Sequence, residues 1–199
     1  MVFARAPVPG EVKTRLIPAL GEAGAAALHR RLVSRCLRAA RDSRLGPVEL
    51  WCAPGVDDAF FRECERRLGV SLRSQEGRDL GERMYGAFES ALARSRRAIL
   101  VGSDVPALSP RYLRDADRAL AEGEDAVVGP AEDGGYVLIG LSRVDAELFR
   151  GIPWGRPEVL AETRGRVAAL AWRLRELPAL WDVDRPEDLA RLPRTLRRR

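Results

Sequence analysis

Short apolar runs alternate along the chain with longer stretches in which apolar side chains return every three or four positions. Ala98-Ile-Leu-Val101, Asp125-Ala-Val-Val-Gly129 and Tyr136-Val-Leu-Ile-Gly-Leu141 are brief and rich in Val, Ile and Leu. Each is bounded by Gly, Pro, Asp or Ser, so the three predict buried parallel strands. Pro47-Val-Glu-Leu-Trp-Cys52 adds a fourth strand and Met1-Val-Phe-Ala4 a short first one. Between them, Glu22 to Arg44 places Ala25, Leu28, Leu32, Cys36 and Ala39 on one stripe, with arginines opposite. That spacing predicts an amphipathic helix. Asp57 to Leu68, Leu80 to Arg94 and Ser109 to Ala121 read alike, the last opened by Ser109 as N-cap and Pro110 as first helical residue.

Strands alternating with helices predict an α/β sandwich around a mainly parallel sheet. No repeat, linker or low-complexity tract interrupts the 199 residues, so one domain over 1–199 is expected. In such sheets ligands bind at the carboxyl ends of strands. Attention therefore falls just after Ala4, after Val101 and around Gly129.

Composition narrows the classes. Apolar residues make up 46% of the chain, enough for a core, and charged residues 32% with both signs mixed. The net charge is +5, and four of the arginines behind it, Arg194 and Arg197 to Arg199, sit at a terminus where charge is easily solvated. The other arginines stand along helices among acidic residues and aromatics are few, so no nucleic acid is expected as a partner. Three cysteines, Cys36, Cys52 and Cys64, are an odd number without metal-ligand spacing. They point to a reducing cytoplasm rather than a disulfide framework. No long apolar run marks a signal peptide or a membrane span, so no membrane partner is expected.

The first strand ends directly in Arg5-Ala-Pro-Val-Pro-Gly-Glu-Val-Lys-Thr-Arg15. Pro7, Pro9 and Gly10 stiffen a turn, and Arg5, Lys13 and Arg15 gather positive charge about it, which is what a phosphate chain requires. It is not a Walker loop, because Val12 stands where the glycine before the lysine belongs. A solvent-exposed basic turn is the plainer alternative. Next, Leu100-Val-Gly-Ser-Asp-Val-Pro-Ala-Leu108 runs an apolar strand into Gly102, Ser103 and Asp104. A carboxylate facing a phosphate site needs a cation between them, and Mg²⁺ or Mn²⁺ serves. Asp104 stands too early to cap the helix at Pro110, where Ser109 is better placed.

Gly129-Pro-Ala-Glu-Asp-Gly-Gly-Tyr136 carries Asp133 in a hairpin-turn pattern. A plain turn and a functional acid are both open there, with Glu132 and Asp133 expected near Asp104. Gln75-Glu-Gly-Arg-Asp-Leu-Gly-Glu-Arg-Met84 leads into a helix and offers Gly77, Asp79, Gly81 and Arg83 to a base or ribose. In Trp181-Asp-Val-Asp184, Asp184 reads either as an N-cap ahead of Pro186 or as a metal ligand. The only histidine, His29, lies in the first helical pattern and is expected at the surface or the edge of the core. No nucleophilic relay can be argued from it.

Together these segments resemble one bacterial family. Phe3-Ala-Arg-Ala-Pro-Val-Pro-Gly-Glu-Val-Lys-Thr-Arg-Leu16, Gly102-Ser-Asp-Val-Pro106, Gly129 to Tyr136, Ile152-Pro-Trp154 and Trp181 to Asp184 follow in its order. It is the glycosyltransferase-like family described as associated with radical-SAM and selenium-related domains. That family is similar in turn to the nucleotide-diphospho-sugar transferase (GT-A) fold, which includes guanylyltransferases of molybdenum-cofactor and coenzyme F420 synthesis. The resemblance implies a three-layer α/β/α sandwich with a Rossmann-like sheet, and a divalent ion, Mg²⁺ or Mn²⁺, bridging Asp104 to a nucleotide's phosphates. Arg5, Pro9, Gly10, Lys13, Thr14 and Arg15 match its phosphate-binding stretch, with Gly102 and Ser103 beside Asp104. Gly77, Asp79, Gly81 and Arg83 match the part beside base or sugar, and Asp133 a position facing the acceptor. Ser103 stands where relatives often carry threonine.

The expected activity is thus a metal-dependent transferase, with Asp104, Asp133 and Lys13 as catalytic residues and Asp104 and Asp184 on the metal. Glycosyl transfer from a nucleotide sugar to a small-molecule acceptor is the first reading. Nucleotidyl transfer of guanylyl or cytidylyl type from a nucleoside triphosphate is the second, and a non-catalytic nucleotide-binding module the third. A homodimer stays open.

Overall fold

The computed structural model describes residues 1–193 and Leu196. Arg194 and Arg197 to Arg199, the basic terminus noted above, lie outside the described residues. The chain divides into two compact units, one holding Met1–Ser74, Gly102–Pro110 and the segment from Trp181, the other Gln75–Val101 and Arg111–Leu180.

In the first unit β1 (Val2–Arg5), β2 (Glu49–Ala53) and β3 (Ser71–Ser74) lie in the order β3-β2-β1, all parallel. Every residue of β2 is buried, as is Val2 to Ala4 of β1. An apolar run with no polar alternation is what a doubly covered parallel strand needs. β3, Ser-Leu-Arg-Ser, alternates exposed and half-buried positions at the end of that order. Its polar residues suit an edge, and they are also why the apolar pattern does not announce it.

Helix α1 (Ile17–Ser43) precedes β2, and α2 (Ala59–Leu68) follows it. Non-helical angles at Gly21 break α1, so its regular part starts where the pattern predicted, at Glu22. The expected stripe of Ala25, Leu28, Leu32, Cys36 and Ala39 is buried throughout. Leu16, Leu28 and Leu32 share a core with Val183, Leu192 and Leu196, which ties the C-terminal segment to α1.

The second unit contains α3 (Leu80–Leu92), β4 (Ala98–Gly102) and α4 (Pro110–Ala121) except for Gly102 and Pro110 themselves, β5 (Ala126–Pro130), β6 (Tyr136–Leu141), α5 (Val159–Ala169) and β7 (Leu174–Glu176). Its strands lie in the order β4-β6-β5-β7. Here one expectation is corrected. Tyr136–Leu141 is buried as predicted but runs antiparallel to both β4 and β5, because only a tight turn separates it from β5. A crossover to a parallel neighbour needs a dozen residues or more, and five stand between Pro130 and Tyr136. β7 pairs parallel with β5. Apart from β6 the architecture is the expected α/β fold, seven strands mostly parallel with helices between them. Among the described residues no helix is long and apolar enough to cross a membrane.

Candidate functional site

β1 delivers the basic loop. Its last residue, Arg5, has an exposed side chain, and its carbonyl oxygen lies 3.0 Å from Nε2 of His29. A carbonyl only accepts, so Nε2 is the donor. The loop then tightens through Val8 N–H to Ala6 O (2.8 Å) and Glu11 N–H to Val8 O (3.1 Å). Pro9 is exposed there, and Gly10 sits at φ +84°. Lys13 follows in the left-handed region, φ 51° and ψ 40°, where a residue with a Cβ is uncommon. Thr14, exposed like Arg15, opens a single 3₁₀ turn to Leu16, which anchors the loop in the core.

The left-handed kink turns Lys13 inward. Its side chain is only 6% exposed, and Nζ reaches Oδ2 of Asp104 at 2.7 Å while also donating to the carbonyl of Val183. Val183 N–H in turn donates to the carbonyl of Asp104 at 3.0 Å. Three segments far apart in sequence thus close one polar circuit around a buried ammonium. The Asp104 side chain is 37% exposed, so the circuit opens to solvent on the carboxylate side.

α1 holds the Asp104 loop from behind. Arg35 Nε donates to Pro106 O at 2.6 Å, and the Cys36 thiol reaches the carbonyls of Ser103 (3.5 Å) and Val105 (3.8 Å). Val105 and Leu108 are buried. Gly102 closes β4, and the buried Ser103 offers its hydroxyl to Asp104 Oδ1 at 3.4 Å.

His29 is where the structure departs most from sequence reasoning. It is 4% exposed, and its Nδ1 faces Asp104 Oδ1 at 3.6 Å, beyond hydrogen-bond length. The signal lay in its spacing: four residues after Ala25 and three before Leu32, His29 falls on the apolar stripe, where a polar group needs partners. Burial alone would raise the Asp104 carboxyl's pKa. Lys13 and His29 outweigh it and hold that carboxyl far below the usual carboxylate range.

Asp184 corrects a second expectation. The 3₁₀ helix Pro186–Arg191 is capped at Arg185, and Asp188 accepts from the N–H groups of both Asp184 (2.9 Å) and Arg185 (2.7 Å). The Asp184 carboxylate is therefore not the cap and is ion-paired with Arg15 instead. Lys13 with Asp104 and Arg15 with Asp184 form two parallel cation–carboxylate pairs along one loop. Among the described residues no cluster of three His, Cys, Asp or Glu side chains could hold a metal by itself.

The remaining candidates lie in the second unit. Asp79 is the N-cap of α3, accepting from Glu82 N–H at 2.9 Å. Gly77 has φ +139°, and a Cβ there would stand 2.8 Å from the backbone nitrogen of Arg83, whose own Nε donates to Gly77 O at 3.1 Å. A Cβ on Gly81 would meet the Phe149 carbonyl oxygen at 2.7 Å. These glycines serve close packing of the chain on itself. Asp79 and Gly81 nevertheless border a cavity of about 400 Å³, with Tyr85 and Phe149 on its wall. Asp133 is exposed in the β5–β6 turn, its Oδ1 accepting from Gly135 N–H at 3.0 Å. The turn chemistry read from Asp133-Gly134-Gly135 is thus present.

None of the curated proteins matches the chain in sequence. A crystal structure from Desulfovibrio desulfuricans G20, of a protein provisionally named a nucleotide-diphospho-sugar transferase, is 34% identical over 92% of this chain and 80% of that one, with a TM-score of 0.83. More distant structures share the fold alone. A 4-diphosphocytidyl-2C-methyl-D-erythritol synthase from Anaerococcus prevotii is 9% identical, covering 99% of this chain and 97% of that one, at TM-score 0.64. A nucleotidyl transferase from Methanothermobacter thermautotroptrophicus is 17% identical, covering 96% and 94%, at TM-score 0.61. Residues 36–156, more than half of the chain, match the model of a family described as uncharacterized proteins conserved in bacteria, and the chain belongs to that family, DUF2064.

Proposed function

We propose that the chain is a nucleotide-dependent transferase that transfers a sugar from a nucleotide-sugar donor, its diphosphate held by the Arg5–Arg15 loop. The observation that carries this reading is Lys13 in a left-handed conformation in the loop that follows β1, its buried ammonium against Asp104. Strained backbone of that kind persists where the surrounding structure enforces it, and it gathers at functional sites. The 34% identical relative carries a name of the same class.

The magnitudes suggest how the residues divide the work. Arg15 and Asp184 are 64% and 42% exposed, so their pair contributes about 0–1 kcal/mol. Breaking it therefore costs little, and a phosphate, with paired oxygens for the guanidinium fork, can take Arg15 instead. That exchange releases the Asp184 carboxylate. Lys13 stays buried and keeps the donor's anionic oxygens near a fixed positive charge. Asp104, ionised at any physiological pH, orients Lys13, and its side chain, 37% exposed, is open to a ligand.

The donor set suits Mg²⁺ or Mn²⁺: one or two carboxylates, Asp104 and Asp184, with phosphate and water oxygens completing the shell. Bound there, the ion would supply neutralisation of the diphosphate as it departs. In this reading the acceptor's hydroxyl oxygen forms the new bond to the anomeric carbon, the bond to the diphosphate breaks, and the hydroxyl proton passes to the carboxylate assigned to the acceptor, Asp133. Asp79, Gly81 and Arg83 are assigned to the base or sugar, as the family resemblance implies.

The same loop would serve nucleotidyl transfer, and the names of the distant structures favour keeping that second reading. The released product separates them: a nucleoside diphosphate for glycosyl transfer, pyrophosphate for nucleotidyl transfer. Calorimetry with nucleotide sugars and triphosphates in Mn²⁺ tests the centre itself. Asp104→Asn is expected to abolish metal-dependent binding, and unchanged affinity in that variant would sink the assignment.

A further inference from the structure

The first unit holds a second cationic site that the Lys13–Asp104 centre does not use. A cavity of about 440 Å³ is walled by Arg30, Arg31, Arg35 and Arg38 of α1 and by Arg67 of α2, against the single carboxylate of Glu63. That volume lies in the range of small-ligand sites. Glu63 is already shared, by Arg30 at 3.4 Å and Arg67 at 3.1 Å. Among the described residues no carboxylate pairs with Arg31, Arg35 or Arg38. Arg35 spends its Nε on the Pro106 carbonyl, and the Nε of Arg31 is buried with no acceptor among the described residues.

Helix chemistry does not account for this arrangement. Arg31, Arg35 and Arg38 follow one another at four and three residues, the spacing at which like charges weaken a helix. No Asp or Glu occurs on α1 between Glu22 and Asp42 to offset them. α4 shows the ordinary solution, where Asp115 takes both Arg111 and Arg118. An ordinary solvated face also leaves no guanidinium nitrogen buried without an acceptor.

We propose that this groove binds a small molecule carrying at least two phosphate charges, at a site separate from the Lys13 centre. Guanidinium forks match paired phosphate oxygens, and a concave wall of one sign concentrates anions. The groove also backs onto the active loop, since Arg35 and Cys36 are the residues that hold Pro106, Ser103 and Val105.

Inorganic tripolyphosphate is the probe, titrated by calorimetry into the full chain at physiological salt. Arg31→Gln with Arg38→Gln is expected to weaken one binding equivalent about tenfold, since charge-assisted guanidinium forks are the strong contacts to phosphate. Glu63→Gln, which removes the only carboxylate among the described lining residues and leaves the arginines in place, is expected to tighten that equivalent about threefold by removing electrostatic repulsion of the anion. Lys13→Ala leaves it unchanged, which separates this site from the proposed donor site. Binding that neither the arginine pair nor Glu63 alters would overturn the proposal. So would capture of a single-stranded oligonucleotide without any affinity for tripolyphosphate, which would make the groove a nucleic-acid surface.

Discussion

The Lys13 ammonium stands 2.7 Å from Asp104 Oδ2 and donates as well to the carbonyl of Val183, so one buried cation joins the N-terminal loop, the loop after β4 and the C-terminal segment. The basic loop is therefore a structural joint of the first unit as well as a candidate phosphate site. Substitutions in it report on both.

Asp104→Asn keeps the shape and removes the charge. It leaves a buried ammonium with only carbonyl and amide partners, and a charged donor stripped of its anion loses about 1–3 kcal/mol. Part of that is softened because the Asp104 side chain is 37% exposed. For a chain of this size each 1 kcal/mol moves the melting temperature by about 2–4 °C. A fall of several degrees in the melting temperature of Asp104→Asn is expected. Arg15→Ala, which breaks only the exposed pair with Asp184, is expected to lose about 0–1 kcal/mol of stability and so to lower the melting temperature less.

The same pair sets a pH signature. The folded-state pKa of Asp104 is depressed, so its contribution to stability is present above the ordinary carboxylate pKa and is lost as pH falls below that range. Urea midpoints measured from pH 6 downward should drop more steeply for the wild type than for Asp104→Asn, with the two curves converging at low pH. Parallel curves would mean that Asp104 carries no coupling to folding.

How much of this was legible in the sequence follows from what each residue faces. The buried strands were readable because burial on both faces leaves them almost wholly apolar, and the α1 stripe because apolar residues recur at helical spacing opposite arginines. β3 and β7 were not, since edge strands such as Ser71–Ser74 and Leu174–Glu176 carry polar side chains by necessity. The loops of Lys13 and Asp104 announced themselves through clustered charge at strand ends. What they pair with was not readable, because Lys13 and Asp104 are far apart in the chain and only the fold brings them together. His29 was missed for the opposite reason: a polar residue on an apolar stripe reads as an exception until its partners, Arg5 O and Asp104, are seen.

Two glycines with positive φ separate strain from collision. Gly155, at φ +80°, has nothing within 4 Å of a built Cβ, whereas a Cβ on Gly134, at φ +92°, would stand 2.3 Å from the Pro157 carbonyl oxygen. Gly155→Ala is expected to lose about 1 kcal/mol from backbone strain alone. Gly134→Ala must in addition displace backbone, so its melting temperature should fall well below that of Gly155→Ala. Equal losses in denaturant melts would show that the Gly134 turn relaxes freely.

The three thiols supply the last test. Burial pushes Cys36 and Cys52 up to about 12 and Cys64 up to about 11, and at pH 8 almost none of each is the reactive thiolate. Cys36 also donates to the carbonyls that hold the Asp104 loop, so its reactivity reports on that loop's integrity. In the native protein at pH 8, a thiol reagent should label none of the three at an appreciable rate, and all three should react in denaturant. Asp104→Asn is expected to speed labelling of Cys36 while leaving Cys52 and Cys64 slow, because only Cys36 sits behind the loop that the Lys13 pair secures. If Cys36 in that variant stayed as inert as in the wild type, the Asp104 loop would be held by α1 alone, and the Lys13 pair would have no part in securing it.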